Sequence, residues 1–146
     1  MIVALGSDHV GYKAKQTLAK ALEADGYDVV DLGACSEDRA DYPDYGAAVG
    51  REVSSGRADR GIVLCGTGIG VSIAANKIKG VRAALCHDEY CAVMARQHND
   101  ANVMAAGARI LAEDAIVRMA RVFLATPFEG GRHADRVAKI ALLEQD

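Results

Sequence analysis

Gly61-Ile62-Val63-Leu64-Cys65-Gly66-Thr67-Gly68-Ile69-Gly70-Val71, running directly into Ser72-Ile73-Ala74-Ala75-Asn76-Lys77, decides the fold of this chain. Residues 62–64 are apolar and end at a cysteine, the pattern of a strand buried on both faces. Glycines at 66, 68 and 70 then let the backbone approach a ligand closely. The alanine-rich stretch behind them predicts a helix whose first N–H groups lack partners within the helix, and such a turn attracts anions. Cys65 is thereby predicted at a strand tip beside the partly positive start of a helix, surroundings that favour a thiolate. A helix terminus supplies about 0.3–1 kcal/mol, whereas bringing an ordinary thiol to neutrality takes about 2 kcal/mol, so neighbours must add to it. An inert core thiol is the competing reading, since free cysteine is among the most buried residue types. The dinucleotide fingerprint is incomplete, because its third glycine would fall where Val71 stands.

Outward from this turn, short apolar runs alternate with helical spacing. A strand is predicted over 2–5, then Gly6-Ser7-Asp8-His9-Val10-Gly11 and a helix over 12–25 that Gly26 closes. A second strand over 29–32 leads through a polar loop, long enough to serve as a lid, to Asp41-Tyr42-Pro43-Asp44 and a helix over 45–55. Behind the central strand and its helix come a strand over 82–86, a helix over 87–97, a strand over 102–106, and helices over 113–124 and 131–143. Strands alternating with helices on short connections predict an α/β fold. The expected architecture is a single three-layer, doubly wound domain over 1–146, with a five-stranded, mostly parallel, Rossmann-like sheet in the order 2-1-3-4-5. Ligands bind such sheets at the carboxyl ends of the strands where the order reverses, which would set Asp8-His9 opposite Cys65-Gly66-Thr67 with Tyr42 beside them.

At 146 residues, 51% hydrophobic and 25% charged, the composition is that of a globular protein with a full core. A formal net charge of −3 argues against a general nucleic-acid or anionic-membrane surface. The chain opens on Met1-Ile2-Val3-Ala4-Leu5 without a basic leader or a long apolar run, so neither a signal peptide nor a membrane span is expected and the cytoplasm is the expected compartment. Cysteines at 35, 65, 86 and 91 lack CxxC spacing, so disulfides and a structural zinc site are not expected. Cys86-His87 with Cys91 is the nearest approach to a metal cluster, and a tetrahedral site there lacks a fourth ligand.

Asp8 reads equally as a helix cap or as a site carboxylate, and its place at the switch point favours the site. Residues 6–11 imitate a P-loop, but Tyr12-Lys13 stands where Lys-Ser/Thr is required, which rules out triphosphate binding through it. Gln97-His98-Asn99-Asp100-Ala101-Asn102 is a polar run whose plain reading is a C-capping loop. As a helix-to-strand loop it lies at the amino end of the sheet, opposite the tip carrying Cys65. A catalytic His98 would therefore come from a second chain. Arg132 and Arg136, spaced i, i+4 near a helix start, repel each other and oppose the macrodipole, which suggests a compensating anion, either Asp135 and Glu129 or a phosphate. Arg109 follows strand five and by itself says little.

Ser-Asp-His-Val-Gly at 7–11, Asp-Tyr-Pro at 41–43, Cys-Gly-Thr-Gly-Ile-Gly at 65–70, Ala-Ala-Asn-Lys at 74–77, Arg-Gln-His-Asn-Asp at 96–100 and Glu-Gly-Gly-Arg-His at 129–133 together resemble type B ribose-5-phosphate isomerase. The subunits of galactose-6-phosphate isomerase are neighbouring relatives. The resemblance spans essentially the whole chain. It implies an aldose-ketose isomerase acting through an enediolate, with Cys65 as the base between C1 and C2, His98 assisting ring opening and Asp8 acting at the ring and the hydroxyls. Thr67 and the backbone N–H groups of Gly66, Gly68, Ile69 and Gly70 would hold the enediolate oxygen. Tyr42 and Asn99 match sugar contacts, and His9, Arg109, Arg132 and Arg136 match phosphate ligands. One branch of the family carries a glutamate just downstream of the glycine loop. Val71 and Ser72 stand there in this chain, which therefore resembles the cysteine branch. The chemistry implies no metal and no cofactor. The expected assembly is a homodimer with sites shared between chains, or a dimer of dimers. A six-carbon 6-phosphate such as allose or galactose 6-phosphate is the alternative substrate, and a non-catalytic sugar-phosphate or nucleotide sensor is the alternative of a different class.

Overall fold

The computed structural model describes residues 1–145. Strands β1 (Ile2–Ser7), β2 (Asp28–Asp31), β3 (Arg60–Cys65), β4 (Ala83–Leu85) and β5 (Val103–Gly107) alternate with helices α1 (Tyr12–Ala24), α2 (Tyr42–Ser54), α3 (Ile69–Asn76), α4 (Glu89–Asn99) and α5 (Glu113–Ala125). Helix α6 (Arg132–Leu142) and a short 3₁₀ turn, Leu143–Gln145, follow. All strand pairs are parallel. The doubly wound α/β architecture is as the sequence predicts.

The strand order is β2-β1-β3-β5-β4, a correction to the expected 2-1-3-4-5. Burial explains the exchange of the last two strands. Every residue of β5 is buried, whereas β4 is three residues long, half-buried and exposed at Leu85, so β5 takes the inner position and β4 the edge. The register runs from Gly61 opposite Val103 to Cys65 opposite Gly107. The turn after β5 consequently lies against the glycine turn after β3, with Ala108 N–H donating to the Cys65 carbonyl at 2.8 Å and Arg109 N–H to the Gly66 carbonyl at 3.0 Å.

Side chains alternate across the sheet. Val3, Leu5, Ile62, Leu64, Met104 and Ala106 pack under α1, α4 and α5. Ala4, Val63, Cys65, Val103 and Ala105 pack under α2 and α3. Helix α6 sits outside this frame against α4, and His133 is its one buried residue.

Several element ends shift from their predicted places. Tyr42 and Pro43 lie in the first turn of α2 rather than in the preceding loop, because proline at a helix start forfeits no hydrogen bond and its fixed φ suits the helix. Residues 97–99 complete α4 rather than forming a loop. The C-cap is Asp100, at φ 45° and ψ 42°, as the capping reading of this run predicts.

Candidate active site

An open cleft of about 570 Å³ sits at the carboxyl ends of β1 and β3, where the strand order reverses. It is lined by Asp8, His9, Val10, Tyr42, Cys65, Gly66, Thr67, Ile69, Gly70, Ile73 and Arg109. Cys65 ends β3 and is 5% exposed. The chain turns at Gly68, whose φ of 78° suits glycine, and the Gly68 N–H donates to Cys65 Sγ at 3.2 Å. Thr67 Oγ1 accepts the Ile69 N–H at 3.2 Å. The sulfur and a hydroxyl thus both engage the free N–H groups at the head of α3.

Asp8 does not cap α1, whose N-cap is Gly11 without a side-chain bond, because its carboxylate is taken by the turn that precedes the helix. Its Oδ1 accepts the N–H groups of Val10 at 3.0 Å and Gly11 at 3.1 Å, organising the turn into α1, and the buried carboxylate lines the cleft. His9 Nδ1 meets the Ala40 N–H at 3.2 Å and the Ala40 carbonyl at 3.3 Å, tying the loop over 32–41 to the cleft rim. The Tyr42 ring lies on the backbone of α3. A Cβ on residue 70 would stand 2.4 Å from Tyr42 Cε1, so only glycine admits the ring there. Arg109 crosses the glycine turn, its Cδ and Nη1 each 3.5 Å from where a Cβ on residue 66 would be. The exchanged strand order is what brings Arg109 to this place.

His98, Asn99, Arg132 and Arg136 do not join that cleft. Helix α4 runs back along the sheet, and residues 100–102 return the chain to the amino ends of the strands, where the Asn102 carbonyl accepts the Gly61 N–H at 2.9 Å. Cys65 stands at the other end of the same strand, about 13 Å away at about 3.3 Å per residue. At this far end His98 stacks on His133 with ring centroids 4.2 Å apart and 12° between planes. Glu129 Oε2 lies 3.5 Å from His133 Nε2. Burial holds the His133 pKa below its ordinary value, and His98, Arg132 and Arg136 push the same way while Glu129 opposes them. Among the described residues no carboxylate pairs with Arg132, Arg136 or Arg109. Glu129 faces His133 instead, so the expected acidic compensation of the arginine pair does not form. Asn99 lines a separate hollow of about 270 Å³ with Asn76, Arg82 and Ile140.

The profile of one family, Ribose/Galactose Isomerase, matches residues 3–140. The chain belongs to the Ribose/Galactose Isomerase family. It is 43% identical over 143 residues to ribose-5-phosphate isomerase B of Escherichia coli, covering 98% of this chain and 96% of that one. Among solved structures it is similar to ribose-5-phosphate isomerase B of Clostridium thermocellum, with a TM-score of 0.98, 48% identity, and 99% and 98% of the two chains covered. The Mycoplasma genitalium enzyme solved with bound ribulose 5-phosphate aligns at a TM-score of 0.95 and 39% identity, over 99% of this chain and 97% of that one.

Within this Ribose/Galactose Isomerase chain, the sequence reading gave no role to His133 or to Arg96. The Glu-Gly-Gly-Arg-His block marks His133, but its stacking on His98 depends on α6 docking against α4, which no local pattern encodes. Arg96 is buried, and its guanidinium reaches Asp100 Oδ1 at 2.8 Å, the carbonyl of Ala101, and the Thr126 carbonyl at 3.2 Å. The Glu129 N–H donates to the Gln97 carbonyl at 3.1 Å. These bonds lock the end of α4 to the segment that leads into α6. All four cysteines are free, and burial pushes the Cys86 thiol up to about 12, which leaves it no part in proton transfer near neutrality.

Proposed function

We propose that this isomerase interconverts ribose 5-phosphate and ribulose 5-phosphate through an enediolate, in a single domain that works in the cytoplasm. Cys65 as thiolate takes the C2 proton of the opened aldose as the electron pair moves to the C1 oxygen, a proton passes from the C2 hydroxyl to the C1 oxygen, and the thiol returns its proton to C1 as the C2 oxygen becomes the ketone. The single observation that carries this reading is the Cys65 sulfur at the head of α3, bonded to Gly68 N–H beside Thr67. The Gly70 N–H, in the first turn of the same helix and without a partner within it, would hold the enediolate oxygen, the charge that develops in the transition state. Asp8 keeps a second carboxylate oxygen for the sugar, and Tyr42 packs over it. His9 and Arg109 take the phosphate at the rim.

His98, Asn99, Arg132 and Arg136 complete the site from a second chain, with His98 assisting ring opening. The two half-sites at opposite ends of one sheet support a homodimer, as do Ile69 and Ile73, 51% and 56% exposed at the cleft rim. Apolar residues Ile140, Leu142 and Leu143 are likewise uncovered at the end of the chain. The family includes galactose isomerases by its name, which keeps a six-carbon 6-phosphate as the second reading.

Turnover in D2O is expected to place deuterium at C2 of recovered ribose 5-phosphate. Cys65→Ala is expected to lower kcat by about 10²-fold or more with substrate affinity nearly unchanged. Absence of isomerisation of any phosphorylated aldose would reject the reading, and a higher kcat/KM for allose or galactose 6-phosphate would move the assignment to six carbons.

A further inference from the structure

Beyond β4, the residues over 86–91 take no part in the proposed reaction, although the sequence singles out Cys86, His87 and Cys91 there. Cys86 turns inward, with its sulfur 3.6 Å from the Ala84 carbonyl. Asp88 takes its place in the cluster. Cys91 Sγ, His87 Nε2 and a carboxylate oxygen of Asp88 all lie within 4.8 Å of one another. We propose that His87, Asp88 and Cys91 form a binding site for one divalent cation of the zinc class.

The spacing suits such an ion. Tetrahedral zinc with bonds of about 2.3 Å to sulfur and about 2.0–2.1 Å to nitrogen and oxygen sets sulfur and nitrogen about 3.6 Å apart, and nitrogen and oxygen about 3.3 Å apart. Cys91 Sγ and His87 Nε2 are already at 3.7 Å. His87 Nε2 and Asp88 Oδ2 are at 4.0 Å, and both side chains are more than half exposed and free to close that gap.

Asp88 divides its two oxygens between tasks. Oδ1 accepts the Cys91 N–H at 2.7 Å and caps α4, which fixes the carboxylate beside the cysteine, and Oδ2 remains for the ion. The lack of a fourth protein ligand, which speaks against a closed structural site, is the ordinary condition of an open one, where water fills the last position. A thiolate and an imidazole select a zinc-like ion over magnesium or calcium. The other cluster of ligating groups, His98, Glu129 and His133, is less suitable. Its two rings are nearly parallel and stacked, so their in-plane nitrogen lone pairs do not converge on one point.

None of the three ligands lines the substrate cleft, so occupancy and turnover are separable. Cobalt(II) chloride is the probe, titrated into the purified protein and read by the thiolate-to-cobalt charge-transfer band in the near ultraviolet and the visible bands of a tetrahedral ion. One cobalt per chain is expected, displaced by zinc. Cys91→Ser should abolish the charge-transfer band. His87→Ala, a change at an exposed side chain, should weaken binding by about tenfold or more with metal-free kcat/KM unchanged. Cys65→Ser should keep the band. Persistence of the band in Cys91→Ser, its loss in Cys65→Ser, binding indifferent to His87→Ala, or no band at all would each overturn the proposal.

Discussion

His98 and His133 stack face to face, 4.2 Å between centroids, joining helices α4 and α6. Burial holds the His133 pKa below its ordinary value of 6.5. Between the lowered folded value and the ordinary unfolded one, the unfolded chain binds more protons than the folded chain, so stability rises with pH across that window. Stability is accordingly complete above the unfolded value and is lost as pH falls through the folded one. Thermal unfolding followed from pH 7.5 down to 5 should show Tm falling with acid, and His133→Gln should flatten part of that slope. An unchanged slope would show that His133 does not carry it.

Arg96 pins the same end of α4. Removing its guanidinium leaves the Thr126 carbonyl without that bond and strips Asp100 of one of its two arginine partners. Arg96→Met should cost about 1–3 kcal/mol in urea unfolding, the range for a lost hydrogen bond to a charged group, since Asp100 is partly exposed and keeps Arg82. With His98 less firmly held, kcat should fall in a variant that remains folded by circular dichroism.

Gly70 and Tyr42 make a narrower test. A methyl group at residue 70 has no space while the ring stays where it is, with Cζ 2.6 Å away. Gly70→Ala should therefore displace the ring, costing about 1–3 kcal/mol as an overpacked site does. It should also raise KM more than Tyr42→Phe does, because the phenylalanine ring still fits over glycine. Equal kinetics for the wild type and Gly70→Ala would remove Tyr42 packing from substrate binding.

Much of this was legible because the strands that carry the cleft are apolar on both faces and end in glycine-marked turns. Residues 2–5 and 62–64 could hardly be anything else, and with them Asp8, His9 and Cys65 fell at strand tips. The positions of β4 and β5 were not legible. Both are short apolar runs, and only their packing against helices separates the buried strand from the edge strand. That exchange is also why Arg109 looked uninformative, since its nearness to Gly66 follows from β5 lying next to β3. The helix start at Tyr42 was available from Pro43 and the rule for proline in a first turn. The stack of His98 on His133 was beyond any local reading, because it joins residues from two helices through tertiary docking alone.

The separation of Cys65 from His98 along β3 bears directly on assembly. If a working site takes Cys65 from one chain and His98 from another, Cys65→Ala and His98→Ala should each be inactive as pure proteins. Mixed under subunit exchange, they should recover activity. In a heterodimer one site receives both wild-type residues and the other receives both alanines, so about half of the heterodimer's sites are complete. The recovered rate should track the heterodimer fraction measured by native mass spectrometry, reaching at most about half the wild-type rate per heterodimer site. Mutations confined to one half-site cannot complement in this way, so a mixture of Cys65→Ala with Asp8→Asn should stay inactive. Heterodimers that form and yet show no activity would place the whole site within one chain, and the half-site around His98 would then need another role.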